Sequence, residues 1–453
     1  MAKTAPTGKR ASIHTLGCRL NQAESALLEE YLAAAGYTLV PFGAPASLGI
    51  VHTCTVTREA DAKSRKLIRQ FIRKNPRAFV AAIGCYAQTA AEELARIPGL
   101  DLVLGNREKL HLLQYVAAGK NETAQVVCGP IPRTDFTIDS PPAATMLTRR
   151  SNLKVQDGCD FMCSYCVIPF ARGRSRSRAL ENLLDEARRL LERGAREIVL
   201  TGVNIGCYAH EGTGILELAD RLAGVLTGSG LPQPNRLRIS SIEPTTIPEA
   251  LLERMGDPGH PLAPHLHIPL QSGSNRVLGA MKRRYTREEF QAFIQQARET
   301  VPGIGIGTDV LVGFPGETDA DVEATRALLE EGPIDYAHVF KYSERNGTAS
   351  ARDSGQVDPR AIGRRAALLR RVAARKRQRF AEGPLGKQVD VLFETRENGY
   401  WSGYAGNYLR VAARSGNDWT NRFGRVVLDE ASGGVAYGRL FEPAADPASE
   451  EAP

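Results

Sequence analysis

The first hundred residues switch repeatedly between two hydrophobic periods. Short apolar runs at 12–16, 49–52 and 78–83 predict strands. Between them, 22–35, 59–73 and 90–96 carry apolar residues at helical spacing, and Gly36 stops the first. Strand and helix in alternation predict a parallel sheet with helices on its faces. The pattern breaks over 118–148, a Pro-, Thr- and Ala-rich stretch that includes SPPAAT. It reads as a linker. From Ser151 the alternation restarts, with strands at 153–156, 197–201, 236–240, 265–269, 307–312 and 337–341. Helical segments such as 179–193 and 286–300 separate them. Six βα units predict a partial or complete barrel with its site at the C-terminal strand ends. Residues 360–379 repeat Ile362, Ala366, Leu369 and Val372 at helical spacing and predict one more amphipathic helix. Beyond Gly386, short alternating runs such as GKQVDVLFET and GRVVLDE predict a small all-β barrel.

The expected organisation is an α/β chain. A sheet domain spans 11–117, a linker 118–146, a barrel with its C-terminal helix 147–380 and a small β-barrel 384–443. The tail 444–453 is expected to be disordered.

Composition narrows this little: 42% hydrophobic and 24% charged residues are ordinary for a folded protein of 453 residues. No run reaches the length of a membrane span, and the N-terminus has no apolar signal core. The chain reads as soluble and cytoplasmic, with no membrane partner. Charge adds more. The net +7 is concentrated, because 360–379 holds nine Lys or Arg and no acid, and 149–178 holds seven against two. The rest of the chain is acidic. Concentrated basic surface on an acidic body fits a polyanion such as nucleic acid, although a solvated helix face looks the same. On the helix the candidates are Arg364, Arg371, Arg375 and Lys376.

Cysteine placement changes the picture. All 8 cysteines lie in the first 207 residues, too few and too scattered for a disulfide scaffold. Cys159, Cys163 and Cys166 lie in GCDFMCSYC, directly after a strand. One tight loop can aim all three thiolates at one centre. On a 4Fe–4S cluster they leave one iron free for a small molecule, and a tetrahedral zinc would need a fourth ligand not found nearby. Cys18, Cys54 and Cys85 are 36 and 31 residues apart, but each follows an apolar strand run. Strand ends of a parallel sheet share one edge, so these three can converge on a second metal group. Three buried small hydrophobes is the alternative.

GCDFMCSYC resembles the signature of the radical S-adenosylmethionine (SAM) superfamily. The resemblance implies that Cys159, Cys163 and Cys166 hold a catalytic 4Fe–4S cluster whose open iron chelates SAM. Tyr165 is then near the adenine, and SAM cleavage gives a 5′-deoxyadenosyl radical. TLGCRLNQAES, HTCTVTREADAKSR and AIGCYAQ are similar to the three cysteine segments of the methylthiotransferase family. That family implies a second 4Fe–4S cluster on Cys18, Cys54 and Cys85, a radical SAM barrel, and a C-terminal TRAM domain that binds RNA. Thr55 and the surrounding motifs are most similar to the branch that methylthiolates carbon 2 of N6-threonylcarbamoyladenosine at position 37 of tRNA. His52 departs from that pattern, which commonly has Asn. The alternatives are a ribosomal-protein aspartate methylthiotransferase and a non-catalytic iron–sulfur RNA-binding protein.

The resemblance implies further contacts. Thr201, Gly202 and Asn204 follow the second barrel strand, where members contact the SAM amino group. Ser241, Glu243, Gln271 and Asp309 are candidates for SAM or substrate, although strand ends also need polar caps. Arg172, Arg174 and Arg176, with Arg178, suit the SAM carboxylate or a phosphate backbone, with pairing to a structural carboxylate the alternative for at least one. Tyr400, Trp401, Tyr404 and Tyr408 either stack bases or fill the small barrel. His265 and His267 are expected to be packed histidines, and Cys128 and Cys207 non-ligands. Implied partners are a tRNA anticodon stem-loop, an electron donor such as a flavodoxin or ferredoxin, and a sulfur source.

Overall fold

The computed structural model describes residues 8–116, 119–120, 122–140, 150–228, 230 and 235–441. The N-terminal sheet is parallel and has six strands. Their order is Thr38–Leu39, Arg10–Thr15, Leu48–Thr53, Phe79–Gly84, Leu102–Leu104 and Gln125–Val127. The two central strands are buried along their whole length, as parallel strands covered on both faces must be. Helix Arg19–Ala34 buries Leu20, Ala23, Leu27, Leu28 and Leu32, one helical stripe. Helix Arg58–Lys74 buries Ile68 and Phe71, and the Phe71 ring fills the space that a side chain on Gly49 would need. Full burial of one such side chain stabilises by ~1.5–3 kcal/mol.

Strands of two or three residues are too short to show a period, which is why 38–39 and 102–104 had no sequence signal. Part of the expected linker is also structured. Gln125–Val127 is the sheet's last strand, and 135–138 runs along the barrel, with Ser177 donating to Asp135 at 2.8 Å and Ile138 to Asn182 at 2.9 Å. The chain therefore adds a strand and a strap within 118–146, while 141–146 and the tail 444–453 lie outside the described residues.

The strand order reverses beside Arg10–Thr15: one connection runs to Thr38–Leu39 and the next to Leu48–Thr53 on the other side. A crevice opens at such a switch point, past the carboxyl ends of the two strands. Cys18 and Cys54 follow these strands.

The central domain has the six expected strands in two parallel halves. One is Ser151–Lys154, Glu197–Thr201 and Arg236–Ile239; the other is His265–His267, Gly305–Val312 and Tyr336–Lys341. Bridges at Leu237–Leu262 and Ser241–His267 seam the halves into one open barrel. The first and last strands do not pair among the described residues, and helix Arg19–Ala34 lies against Ser151–Lys154. Helices Arg287–Thr300 and Asp319–Glu331 start with capping boxes at Thr286 and Thr318. The basic helix Pro359–Glu382 buries Ala366, Leu369 and Val372, and packs on Tyr336–Lys341.

The C-terminal module is a closed barrel of Gln388–Glu397, Tyr400–Ala405, Arg410–Arg414, Phe423–Ser432 and Val435–Phe441. Val391, Phe393, Trp401, Val411 and Val426 fill it. Its turn at 405–409 closes the base of the large barrel. The Asn407 carbonyl takes the place a Cβ on Gly305 would occupy, and Arg238 and Arg236 donate to the carbonyls of Gly406 and Tyr404 at 2.8 and 2.9 Å. Tyr404 and Tyr408 stack on each other in this contact, so two of the four aromatics considered for RNA face the large barrel instead.

Candidate functional site

Cys159, Cys163 and Cys166 lie in the loop after the first barrel strand, close enough that their charges act on one another. Met162 takes a left-handed φ of 53°, which helps fold the loop back on itself. Gly158 is obligatory, because a Cβ there would sit 2.0 Å from the Arg174 carbonyl oxygen. Arg283 Nη1 donates to Cys163 Sγ at 3.3 Å, and its other nitrogen grips the Glu243 carboxylate. Neither the Arg283 guanidinium nor its role has a motif signal. Tyr165 packs on Val277, Met281, Leu311 and Phe314.

Burial pushes the Cys159 thiol up to about 11 and Cys166 to about 12. Such thiols stay protonated in neutral solution unless a metal replaces the proton. This donor set, three converging soft ligands with the neighbouring Glu243 carboxylate tied to Arg283, fits an iron–sulfur cluster better than nucleophilic cysteines.

Gln156, absent from the sequence candidates, ties the cysteine loop to the second strand end. Its Nε2 donates to the Gly158 carbonyl at 2.7 Å and Ser175 Oγ at 2.9 Å, and its Oε1 accepts from Val203 and Asn204 N–H at 2.9 and 3.1 Å. Gly202 has no room for a side chain beside it. The Thr201 hydroxyl donates to the Val199 carbonyl at 3.1 Å, and Asn204 donates to Cys207 Sγ at 3.1 Å. Their side chains are thus used within the protein, and what they offer a ligand is backbone. Ser241 lies on the seam opposite His267, and Gln271, at φ 70°, pairs with Val310. Asp309 accepts from His267 Nε2 at 2.9 Å and His338 Nδ1 at 3.1 Å; burial alone would raise its pKa, and the two imidazoles reverse that.

The three N-terminal cysteines also converge. Cys18 is exposed and caps helix Arg19–Ala34, while Cys54 and Cys85 are buried, Cys85 opening helix Cys85–Thr89. Gly17 has φ 99°, and a Cβ on it would fall 2.9 Å from Cys54 Sγ. Burial pushes the Cys54 thiol up to about 12, with the Cys85 and Cys18 charges acting in the same direction.

Behind these thiols lies a buried ion network. Glu24 accepts from Arg172 Nη2 at 2.9 Å and Lys154 Nζ at 2.7 Å, and also pairs with Lys109. Asp157 pairs with Arg172 at 3.0 Å, Lys154 at 2.7 Å and Arg176 at 3.4 Å. Asn21 accepts from Arg172 at 2.7 Å and donates to the Leu16 and Thr53 carbonyls on either side of the crevice. Two carboxylates thus face four cations, and burial pulls the Lys109 pKa down to about 8. The surplus positive charge is balanced if the adjacent thiols bind a metal cluster as thiolates, so the residues fit such a group. His52 lies in this network rather than at the thiols: its Nδ1 contacts Ser25 Oγ at 2.8 Å. Asn106 donates to the Ala171 carbonyl at 2.7 Å and to Cys85 Sγ at 3.6 Å. Helix Ile168–Arg172, which starts two residues after Cys166, therefore joins the two cysteine sites.

The basic candidates divide. Arg172 is 1% exposed and spent on Glu24 and Asp157, so it is not an RNA contact. Arg176 is tied to Asp157 and stands over the Phe136 ring, which also removes it. Arg178 is buried against Glu186. Arg174 stays 45% exposed, with the similarly exposed Asp160 beside it at 3.6 Å. On the basic helix Arg364 and Arg371 are exposed, Arg375 pairs with Glu330, and Lys376 donates to the Gly332 carbonyl at 2.9 Å. An unbroken run of cations gave no hint of this division, because it depends on which carboxylates the fold brings near.

Comparison with known proteins agrees with the geometry. Residues 153–329 match the radical SAM superfamily, and residues 10–105 match an uncharacterized protein family, UPF0004. The chain is 35% identical to a Bacillus subtilis threonylcarbamoyladenosine tRNA methylthiotransferase, over 93% of this chain and 94% of the relative. It is 37% identical to the Aquifex aeolicus protein of that name, over 84% and 92%. It is 33% identical to an Agrobacterium fabrum tRNA-2-methylthio-N(6)-dimethylallyladenosine synthase, over 87% and 89%. Among solved structures it shares its fold with the radical SAM methyltransferase TsrM of Kitasatospora setae. That match has TM-score 0.52 and 15% identity, and covers 73% of each chain. Superfamily membership brings SAM and one 4Fe–4S cluster. With one cysteine triad on the open barrel, a second at the edge of the N-terminal sheet and relatives matched nearly end to end, the chain belongs to the radical SAM methylthiotransferase family.

Proposed function

We propose that the protein is a tRNA methylthiotransferase that adds a methylthio group to carbon 2 of N6-threonylcarbamoyladenosine at position 37. The observation that carries this reading is near-full-length identity of 35–37% to relatives named for that reaction, together with the convergence of both cysteine triads. Cys159, Cys163 and Cys166 hold the SAM-binding cluster, and Cys18, Cys54 and Cys85 hold a second 4Fe–4S cluster at the sheet's switch point. When bound, the barrel cluster and SAM supply the radical that removes hydrogen from the target carbon. The chain's own residues orient these groups. Arg283 fixes the Cys163 sulfur, Gln156 aligns the cysteine loop with the 202–204 backbone, and the Arg172–Glu24 network locks the second triad beside the barrel. Methyl-sulfur transfer further requires an external electron donor, such as a flavodoxin or ferredoxin, and a sulfur source. The substrate is a loop base, which flips into a barrel mouth more readily than a paired one. A cytoplasmic setting fits this substrate; no described helix is long and apolar enough to cross a membrane.

The relative named for dimethylallyladenosine, at 33% identity, favours a second reading in which the acceptor base carries that group instead. Nucleoside analysis of tRNA from a deletion strain separates the two. Loss of the methylthio-threonylcarbamoyl nucleoside supports the proposal. Its retention with loss of the dimethylallyl counterpart transfers the assignment, and retention of both points to a protein acceptor or to an RNA-binding protein without this activity.

A further inference from the structure

One wall of the large barrel is a continuous ladder of rings that neither cysteine site uses. On strand Tyr336–Lys341, residues 336, 338 and 340 share the lumen face, by the period of two. At the base, Tyr408 lies 4.6 Å from His265 and 6.1 Å from Tyr336, measured between ring centroids. Tyr336 lies across Gly307, where a Cβ would strike its ring. Above it, Tyr336 and His338 are 5.6 Å apart, His338 and His267 5.2 Å, and His338 and Phe340 6.4 Å. The lower rungs are buried, but the upper two are open: the His338 side chain is 48% exposed and Phe340 43%.

Both ends of the ladder are tied to the chemistry. At the upper end Asp309 accepts from His338 and His267, and it acts electrostatically on Glu243, the carboxylate held by Arg283 on Cys163. At the lower end Arg19, the neighbour of Cys18, reaches Tyr408. The open rungs thus belong to the end of the ladder linked to the barrel cysteines, where the radical would arise. They present ring faces beside the Asp309 carboxylate, whose hydrogen bonds go to the two imidazoles. A flat aromatic ring that arrives edge-on to the radical source is held by such a surface, and stacking tolerates groups attached to its rim.

We infer that the Phe340 ring is the face on which an adenine ring stacks, with the His338 ring set at 79° to it alongside, and that the stacked ring is the target nucleobase of the RNA rather than the adenine of SAM. The inference rests on the proposed RNA-nucleoside substrate and adds the residues that receive its base. Asp309 and His267 are positioning residues, because the Asp309 carboxylate binds both imidazoles and His267 lies against the His338 ring.

The test uses reconstituted holoenzyme and an anticodon stem-loop RNA carrying 2-aminopurine at the target position. Binding to the wild-type protein is expected to quench the probe. Phe340→Ala is expected to relieve that quench and to raise the KM for tRNA roughly tenfold, the size of one lost base–aromatic contact. Phe340→Trp should restore both, and His338→Phe should keep the quench that His338→Ala loses. Iron content shows that each variant is loaded. An unchanged quench and tRNA KM in Phe340→Ala overturns the platform. A rise confined to the KM for SAM overturns the choice of ring and assigns the wall to the cofactor's adenine. If the wild-type holoenzyme fails to bind the RNA at all, the RNA reading falls first and the platform with it.

Discussion

The two cysteine triads solve one problem in opposite ways. In the barrel, three thiols sit within eight residues, and a single loop with Gly158 at its start brings them together. In the sheet domain, Cys18, Cys54 and Cys85 meet only because three parallel strands end on one edge at a topological switch point. The local site needs few supports beyond Arg283 and Gln156. The distributed site is backed by Glu24, Asp157, Lys109, Lys154 and Arg172, drawn from both domains. A site assembled from distant segments depends on domain packing, whereas a loop site carries most of its geometry with it.

The largest effect expected from this contrast comes from the cysteines themselves. Cys163→Ala should reduce 5′-deoxyadenosine formation to background. Cys54→Ala should keep that activity, lose methylthiolation, and lower iron from about eight to about four per chain. Equal loss of both activities in Cys54→Ala would erase the distinction between the sites. Arg172→Gln comes next. It removes hydrogen bonds to two buried carboxylates that keep Lys109, Lys154 and Arg176 as partners, and should cost ~1.5–3 kcal/mol, read as a lowered thermal or denaturant midpoint. If the midpoint holds while RNA affinity collapses, Arg172 is a contact after all. Gly17→Ala should be milder for the fold, costing ~1–2 kcal/mol for a side chain in the left-handed region, and its Cβ would crowd Cys54. Iron should fall toward four with a small drop in the midpoint, and full iron loading would show that the crevice adapts. The smallest effects belong to the open cations. Arg174→Ala and Arg371→Ala should each weaken tRNA binding only a few fold and lower the slope of log Kd against log salt by about one. A salt slope unchanged in both would place the RNA elsewhere.

Much of this was legible in the chain. The periods at 49–52 and 197–201 marked strands that the fold contains, and the interval of the three barrel cysteines announced a common centre. The strand-end rule also located the second triad. Applied once more, it would have flagged Asn106 and Lys109 just past Leu102–Leu104, but that strand is too short to be seen. Arg172 was misread because ARGRSRSR looks uniformly basic, while Glu24 lies 148 residues away and contributes nothing to the local pattern. Tyr404 and Tyr408 had aromatic character without direction, and only domain docking turned them into the barrel base.

The sequence by itself determined what local interactions set: which segments become strands and helices, and that Cys159, Cys163 and Cys166 share one loop. Periodicity and short spacing are properties of neighbouring residues, so no other part of the chain can change them much. Tertiary structure decided which charges are spent and which stay open, and that rings from Tyr408 to Phe340 line one wall of the barrel. Those outcomes depend on desolvation and on partners far away in the chain. Burial turns an arginine from a surface cation into an internal strut only when a distant carboxylate arrives with it.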